Sequence, residues 1–274
     1  MNMLQKILQI IDRNMEVPTL YGWFHILFLV LTVGATIFLC CTHKKRTEKQ
    51  VENLVFGNAI IVTVFEIYKL VNFSTSYTEG ISFDFPWYVF PWQFCSMPMY
   101  VGLLTGLVKN KKIKDSLYAF LATYAVFAGI GVMVYPASVF IDTIGINIQT
   151  MYCHGSMVVI GCYLLYCGKV KIHINSLWKA LPVFGVAIGI AIVLNEIAYY
   201  SGLLETDTFN MFYISQHCDP HLPVYSLVQQ VVPYPWCLIL YIIGFTLAAG
   251  VVLGLAKGVS CVIEYTHRKA KKGN

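Results

Sequence analysis

The sequence predicts an all-α fold, a polytopic membrane bundle of about seven transmembrane helices. Composition is the first observation behind this reading: 57% of the 274 residues are hydrophobic and only 12% are charged, where a soluble domain carries about 25% charge. The second is the length of the apolar runs, about 20 residues each, which matches a hydrocarbon core of ~30 Å. The third is the sorting of charge, with basic residues gathered in alternate connections. The loops that remain are too short to house a large soluble domain.

Residues 1–19 precede the first span. Leu4, Ile7, Leu8 and Ile11 recur at helical spacing, which reads either as a short amphipathic helix on the membrane surface or as a frayed terminus. Asp12, Arg13 and Glu16 interrupt the apolar stretch and no small-residue cleavage site follows, so a signal peptide is not expected. Hydropathy then places the spans near 20–41, 54–73, 88–108, 116–135, 149–168, 177–199 and 234–256. The connection at about 200–233 is too long for a simple link. It is rich in aromatics and prolines and poor in polar residues, so it is expected to fold back onto the bundle or dip into the bilayer. Residues 257–274 read as a basic tail. No internal repeat is visible, which argues against a secondary transporter built from inverted halves.

Charge gives a direction. Lys44, Lys45, Arg46 and Lys49 lie in one connection, Lys109, Lys111, Lys112 and Lys114 in the next but one, then Lys169, Lys171 and Lys179, and finally Lys257, Arg268, Lys269, Lys271 and Lys272. These are sixteen of the nineteen Lys and Arg residues. An excess of Lys and Arg marks the cytoplasmic side, so the N-terminus is expected outside and the C-terminus inside. The net charge of +5 follows from this sorting and gives no reason to expect a nucleic-acid partner. The chain reads as a multi-pass cell-membrane protein, with a bacterial inner membrane favoured over an endomembrane.

Polar groups inside a bilayer are costly, so their positions carry information. Counted from the basic borders at 1.5 Å per helical residue, Cys95 stands ~21 Å up, His154 ~22 Å, and Glu66 and Glu196 ~25 Å each. Four spans thus bring a thiol, an imidazole and two carboxylates to one level in the outer third of the membrane. Gly102 and Gly106 follow Cys95 in GLLTG, a spacing that lets helix backbones pack closely. Gly161 follows His154 by seven residues, so both side chains are expected to face a shared interior. Pro91 and Pro98 flank Cys95 in FPWQFCSMPMY. Each deprives a carbonyl four residues back of its helical partner, at Trp87 and Phe94, so the helix is expected to kink or open around the cysteine.

Each of these residues has a plain reading beside a functional one. A cysteine in a span is commonly structural, and a thiol in apolar surroundings is inert. A neighbouring imidazole can take its proton and make a nucleophile, and Glu66 or Glu196 could orient that imidazole as the third member of a triad does. Glu66 and Lys69, three apart in FEIYKL, also read as an internal ion pair. Asn195 and Glu196 reach the interface in the plain reading and support the histidine in the other. Gln93 and Ser96 could donate hydrogen bonds to an oxyanion. His217 and His221, with Cys218 or Asp219, form a loop cluster from which neither a metal site nor a cofactor is expected. The nine cysteines contain no CxxC pair, and a disulfide between Cys218 and Cys237 stays open.

These residues carry a resemblance. PWQFCSM at 91–97 is similar to the Pro-Leu-(Gln/His)-Leu-Cys motif of the YwaF family of membrane proteins. His154 in MYCHGSM stands at the place of that family's histidine. FNMFY at 209–213 and PYPWCLILY at 233–241 resemble its Asn-Tyr-Met and Pro-Trp-Pro runs. The chain also looks related to the ether-phospholipid acyltransferase transmembrane protein 164, over roughly residues 55–255. Trp92 and Phe94 replace leucines and Met211 replaces a tyrosine, changes that alter pocket shape more than chemistry. The resemblance implies a cysteine–histidine acyltransferase with Cys95 as nucleophile and His154 as base. It also implies Trp92 and Asn210 at the substrate, and membrane phospholipids and lysophospholipids as partners. A lipid-ester hydrolase is the neighbouring alternative, and a small-solute transporter or lipid-binding sensor the alternative of another class. The oligomeric state is not legible.

Overall fold

The computed structural model describes Lys6, Ile10 and residues 12–76, 82–202, 209–218 and 223–272. Nearly all of this is helix. The elements are α1 (Trp23–Cys41), α2 (Glu48–Ser74), α3 (Met97–Leu107), α4 (Lys111–Ala122), α5 (Tyr124–Val134), α6 (Ile144–Tyr166), α7 (Asn175–Ser201), α8 (Pro223–Gln229) and α9 (Tyr234–Lys272). Helices α4 and α5 form one bent span with its break at Thr123, so six helices are long and apolar enough to cross a membrane. A small antiparallel hairpin, β1 (Thr75–Ser76) against β2 (Ser82–Phe83), closes the far end of α2. Lys6 and Ile10 are helical. The four apolar residues that suggested the amphipathic segment lie outside the described residues.

The third expected span is the one the structure corrects. The expectation was a helix over 88–108 that kinks near Cys95. Residues 84–93 instead run irregularly, with a 3₁₀ turn at Trp87–Val89, and a second 3₁₀ turn at Phe94–Ser96 leads into α3. Helix α3 has only 11 residues, ~16 Å at the helical rise, so it covers half a bilayer. The prolines explain this. Pro98 occupies the first turn of α3, where no N–H is needed, so it starts a helix there and does not bend one.

Contacts define the two ends of the bundle. At the basic end Glu52 holds Lys114 at 3.3 Å and Lys169 at 3.1 Å, while the His43 ring meets the Tyr163 hydroxyl at 3.0 Å. At the other end residues 13–15 lie against 142–144, through Met15 N–H to the Asp142 carbonyl at 2.7 Å and Ile144 N–H to the Arg13 carbonyl at 3.1 Å. The Asn72 amide also reaches Asp12 there, at 2.9 Å. Helix α9 keeps its helical form past the expected membrane border at 256 to Lys272, so the basic tail is a helical continuation of the last span.

Helix α6 is the axis of the fold, with α1, α2, α4 and α5 packed around it. The core centres on Tyr118, Phe120, Tyr124, Phe184 and Phe212, all fully buried. Small residues set the closest approaches, as the spacing suggested. A Cβ on Gly102 would meet Ala59 of α2 at 2.7 Å, and one on Gly106 would collide with the Phe56 ring. A Cβ on Gly161 would press on the Leu121 carbonyl at 2.6 Å and on Val126, at the α4–α5 bend. Gly161→Val is therefore expected to cost about 1–3 kcal/mol by overpacking and to lower the thermal midpoint in detergent. Gly34→Val on α1, where nothing lies within 4 Å, is expected to leave the midpoint in place.

Candidate functional site

Cys95 sits in the 3₁₀ turn that opens α3, and its neighbours in sequence are each fixed by a different part of the bundle. The Trp92 indole donates to the Ala187 carbonyl of α7 at 3.1 Å. The Tyr100 hydroxyl donates to the Pro91 carbonyl at 2.8 Å, which draws the start of the turn back onto α3. Phe94 lies among Phe120, Phe184, Phe212 and Phe245 at ring separations of 5.3–6.1 Å. Ser96, one residue on, donates to Glu66 Oε1 at 3.3 Å. The thiol is thus held by its flanks at the N-terminus of α3, in a turn whose Ser96 N–H bonds the Gln93 carbonyl at 2.9 Å and whose Met97 N–H bonds the Phe94 carbonyl. That is a position that favours negative charge.

Gln93 and Asn195 act as a pair of amide clamps. Gln93 accepts from the Phe212 N–H and donates to the Asn210 carbonyl, both at 2.9 Å. Asn195 accepts from the Met211 N–H at 2.7 Å and donates to the Met211 carbonyl at 3.1 Å. Between them they insert residues 209–213 into the bundle, and the Tyr241 hydroxyl takes the Phe212 carbonyl at 3.1 Å. The long connection therefore folds back as expected in its described part, with Met211 and Phe212 fully buried. Phe212 and Tyr213 carry φ of +59° and +57°, a left-handed pair sustained by this clamping. Asn210 spends its side-chain oxygen on the Ser215 N–H at 2.9 Å, while its Nδ2 is buried without a partner. Tyr213 lies within electrostatic reach of Cys95.

His154 is buried on α6, and its Nδ1 lies 2.7 Å from the Thr150 carbonyl one turn back. A carbonyl can only accept, so Nδ1 carries the proton and Nε2 keeps the lone pair. This fixes the tautomer a general base needs. Among the described residues no hydrogen bond joins His154 to Cys95. The two share a neighbourhood through Lys69, which lies within electrostatic reach of Cys95, of Cys153 and of His154. Lys69 binds Glu66 at 2.6 Å, the internal ion pair of the plain reading, and Glu66 in turn accepts from Ser96.

Several expectations change here. Neither carboxylate touches His154, whose orienting partner is the Thr150 carbonyl. Glu196 lies away from it, bonded to His217 at 3.1 Å and Gln216 at 3.2 Å, with His217 stacked on Tyr199. Asn195 reaches no interface: it is buried and holds Met211. Gln93 has both ends of its amide committed to the 209–213 segment, which makes it a positioning residue. Ser96 is turned to Glu66. Trp92 is held by α7 and packs on Tyr100 at 5.0 Å. Cys218 and Cys237 do not form a disulfide: their thiols turn to the carbonyls of Phe209 and Val232. Asp219 and His221 lie outside the described residues. Sequence reasoning missed Thr150 and Tyr213, and treated Lys69 only as an ion-pair partner.

A family model described as the TMEM164 family matches residues 20–255. Comparison with curated proteins and with solved structures returns no match. The clamp geometry makes a direct prediction. Gln93→Ala removes two hydrogen bonds to buried backbone at a cost of about 1–3 kcal/mol. It is expected to speed hydrogen exchange at the Phe212 amide while leaving exchange along α6 unchanged.

Proposed function

The chain belongs to the TMEM164 family, and from that membership and the site we propose that this multi-pass membrane protein is an acyltransferase acting on phospholipid acyl esters. The observation that carries the reading is the pairing of two unlike preparations in one neighbourhood. Cys95 is presented at the start of a half-helix, and His154 is fixed as the tautomer with a free Nε2 by the Thr150 carbonyl.

The reaction follows from those groups. An acyl ester enters from the lipid side at the level of Cys95. His154 Nε2 takes the thiol proton and the thiolate attacks the ester carbonyl carbon. The oxyanion gathers at the N-terminal turn of α3, where the helix dipole opposes its charge. As the tetrahedral adduct collapses, the C–O bond breaks and the imidazolium returns its proton to the leaving lysolipid oxygen. A lysolipid hydroxyl then gives its proton to Nε2 and attacks the thioester carbonyl, and the released sulfur recovers the proton. With water as acceptor the same steps give hydrolysis. The missing hydrogen bond between Cys95 and His154 fits a site that tightens when substrate arrives, as catalytic contacts in empty sites are often long. The positive-inside sorting supports an outer-leaflet site, with the N-terminus outside and α9 ending in the cytoplasm.

Acyl transfer from a labelled phospholipid to a lysophospholipid in reconstituted vesicles tests this. Cys95→Ala is expected to abolish transfer, and His154→Ala to lower it by about 10²–10⁴-fold. Glu196→Gln is expected to leave the rate within about twofold, since its partner is the partly buried His217 and not His154. Full activity in Cys95→Ala would overturn the reading.

A further inference from the structure

Lys69, paired with Glu66, is a cation beside Cys95 that the reaction above does not use. It lies on α2, five residues before Ser74, which places it ~7.5 Å below the end of that helix. The end itself is marked by polar contacts, Asn72 with Asp12 and the Ser74 carbonyl with the Asp84 N–H at 2.9 Å. An ammonium at such depth is costly unless it has work to do there. Its side chain is 17% exposed, so it is neither sealed nor free to reach bulk water.

The donor count is incomplete. An ammonium has three N–H donors, and the described residues accept from it only through Glu66 Oε1. The Ser96 hydroxyl meets the same Glu66 oxygen, which sets Cys95 level with Glu66. Lys69 lies one helical turn, ~4.5 Å, further toward the non-basic end. In a glycerophospholipid the phosphate sits a few bonds from the ester carbonyl, on its water side. A lipid that places its ester at Cys95 therefore carries its phosphate toward Lys69.

We propose that Lys69 is the head-group anchor of this site: its ammonium, braced by Glu66, binds the phosphate of a glycerophospholipid and so sets the acyl ester against Cys95. This rests on the acyltransferase reading for its purpose, though the binding can be tested without turnover. A neutral acylglycerol offers the two remaining donors only uncharged hydroxyl and ester oxygens, which bind an ammonium more weakly than an anionic phosphate does. The anchor thus selects phospholipids over neutral esters and fixes which way round the lipid enters.

The test uses the full chain with Cys95→Ala, which cannot react. Native mass spectrometry from detergent micelles compares bound phosphatidylcholine with bound diacylglycerol of the same chains, supplied equally. The expected result is a preference of about tenfold or more for the phospholipid, the scale of a hydrogen bond to a charged group. Lys69→Arg is expected to keep it. Lys69→Gln with Glu66→Gln, which exchanges the ion pair for a neutral hydrogen bond, is expected to abolish it while diacylglycerol binding persists. Millimolar inorganic phosphate is expected to leave the preference intact. A preference absent in the parent, unchanged in the double variant, or lost together with diacylglycerol binding would overturn the anchor, and displacement by inorganic phosphate would assign the site to the free ion. Inactivity of the parent enzyme with all these results intact would overturn the reaction and leave the anchor standing.

Discussion

A chain that crosses hydrocarbon without being helical must satisfy its own backbone, and that constraint organises the site. Around Cys95 the prolines withhold helical hydrogen bonds, and no water is present to replace them. Polar groups freed there find partners within the turn or on another element. Tyr100 takes the Pro91 carbonyl, Trp92 reaches α7, and Gln93 grips the backbone of residues 210–212. The inserted 209–213 segment has the same need, and Asn195 and Tyr241 meet it. Two irregular segments thus stabilise each other, and neither would be tolerable at that depth alone. Their junction is where the thiol stands.

The economy of charge follows the same logic. The charged side chains beside Cys95 are an ion pair, Glu66 with Lys69, and the same ammonium reaches His154, whose proton is committed to a carbonyl. The resting site is close to neutral, which suits a low dielectric. In the proposed reaction, charge separation is needed only when the thiol proton moves to His154. The positive end of α3 and the nearby ammonium of Lys69 are then in place to favour the sulfur anion without having to reorganise.

Much of this was legible in the sequence, and the reasons for the failures are physical. Six spans follow from apolar runs alone, and all six are helices, five of them close to the expected borders and the last continuing well past 256. The return of the long connection followed from its lack of polar residues. Counting residues from the basic borders put Cys95, His154 and Glu66 at one height, and they share a neighbourhood. The same count misplaced Glu196, because height along a helix says nothing about the direction a side chain takes around it. The third span failed because Pro98 was read as an interruption, when proline in a first turn is a beginning. Asn195 was misread because its partner is backbone sixteen residues away, and no spacing rule reports such a contact. Thr150 went unseen for a related reason: what it offers His154 is a main-chain oxygen, which every residue has.

The central claim is that this geometry presents Cys95 as a nucleophile toward a lipid ester. Intact-mass analysis of the purified protein after incubation with phospholipid tests it most directly, with the adduct mapped to a residue and challenged with hydroxylamine. The account predicts a hydroxylamine-labile acyl group on Cys95 that accumulates when lysolipid acceptor is withheld. An acyl group on any other residue, or acyl transfer that proceeds in protein whose Cys95 is replaced by alanine, would contradict it.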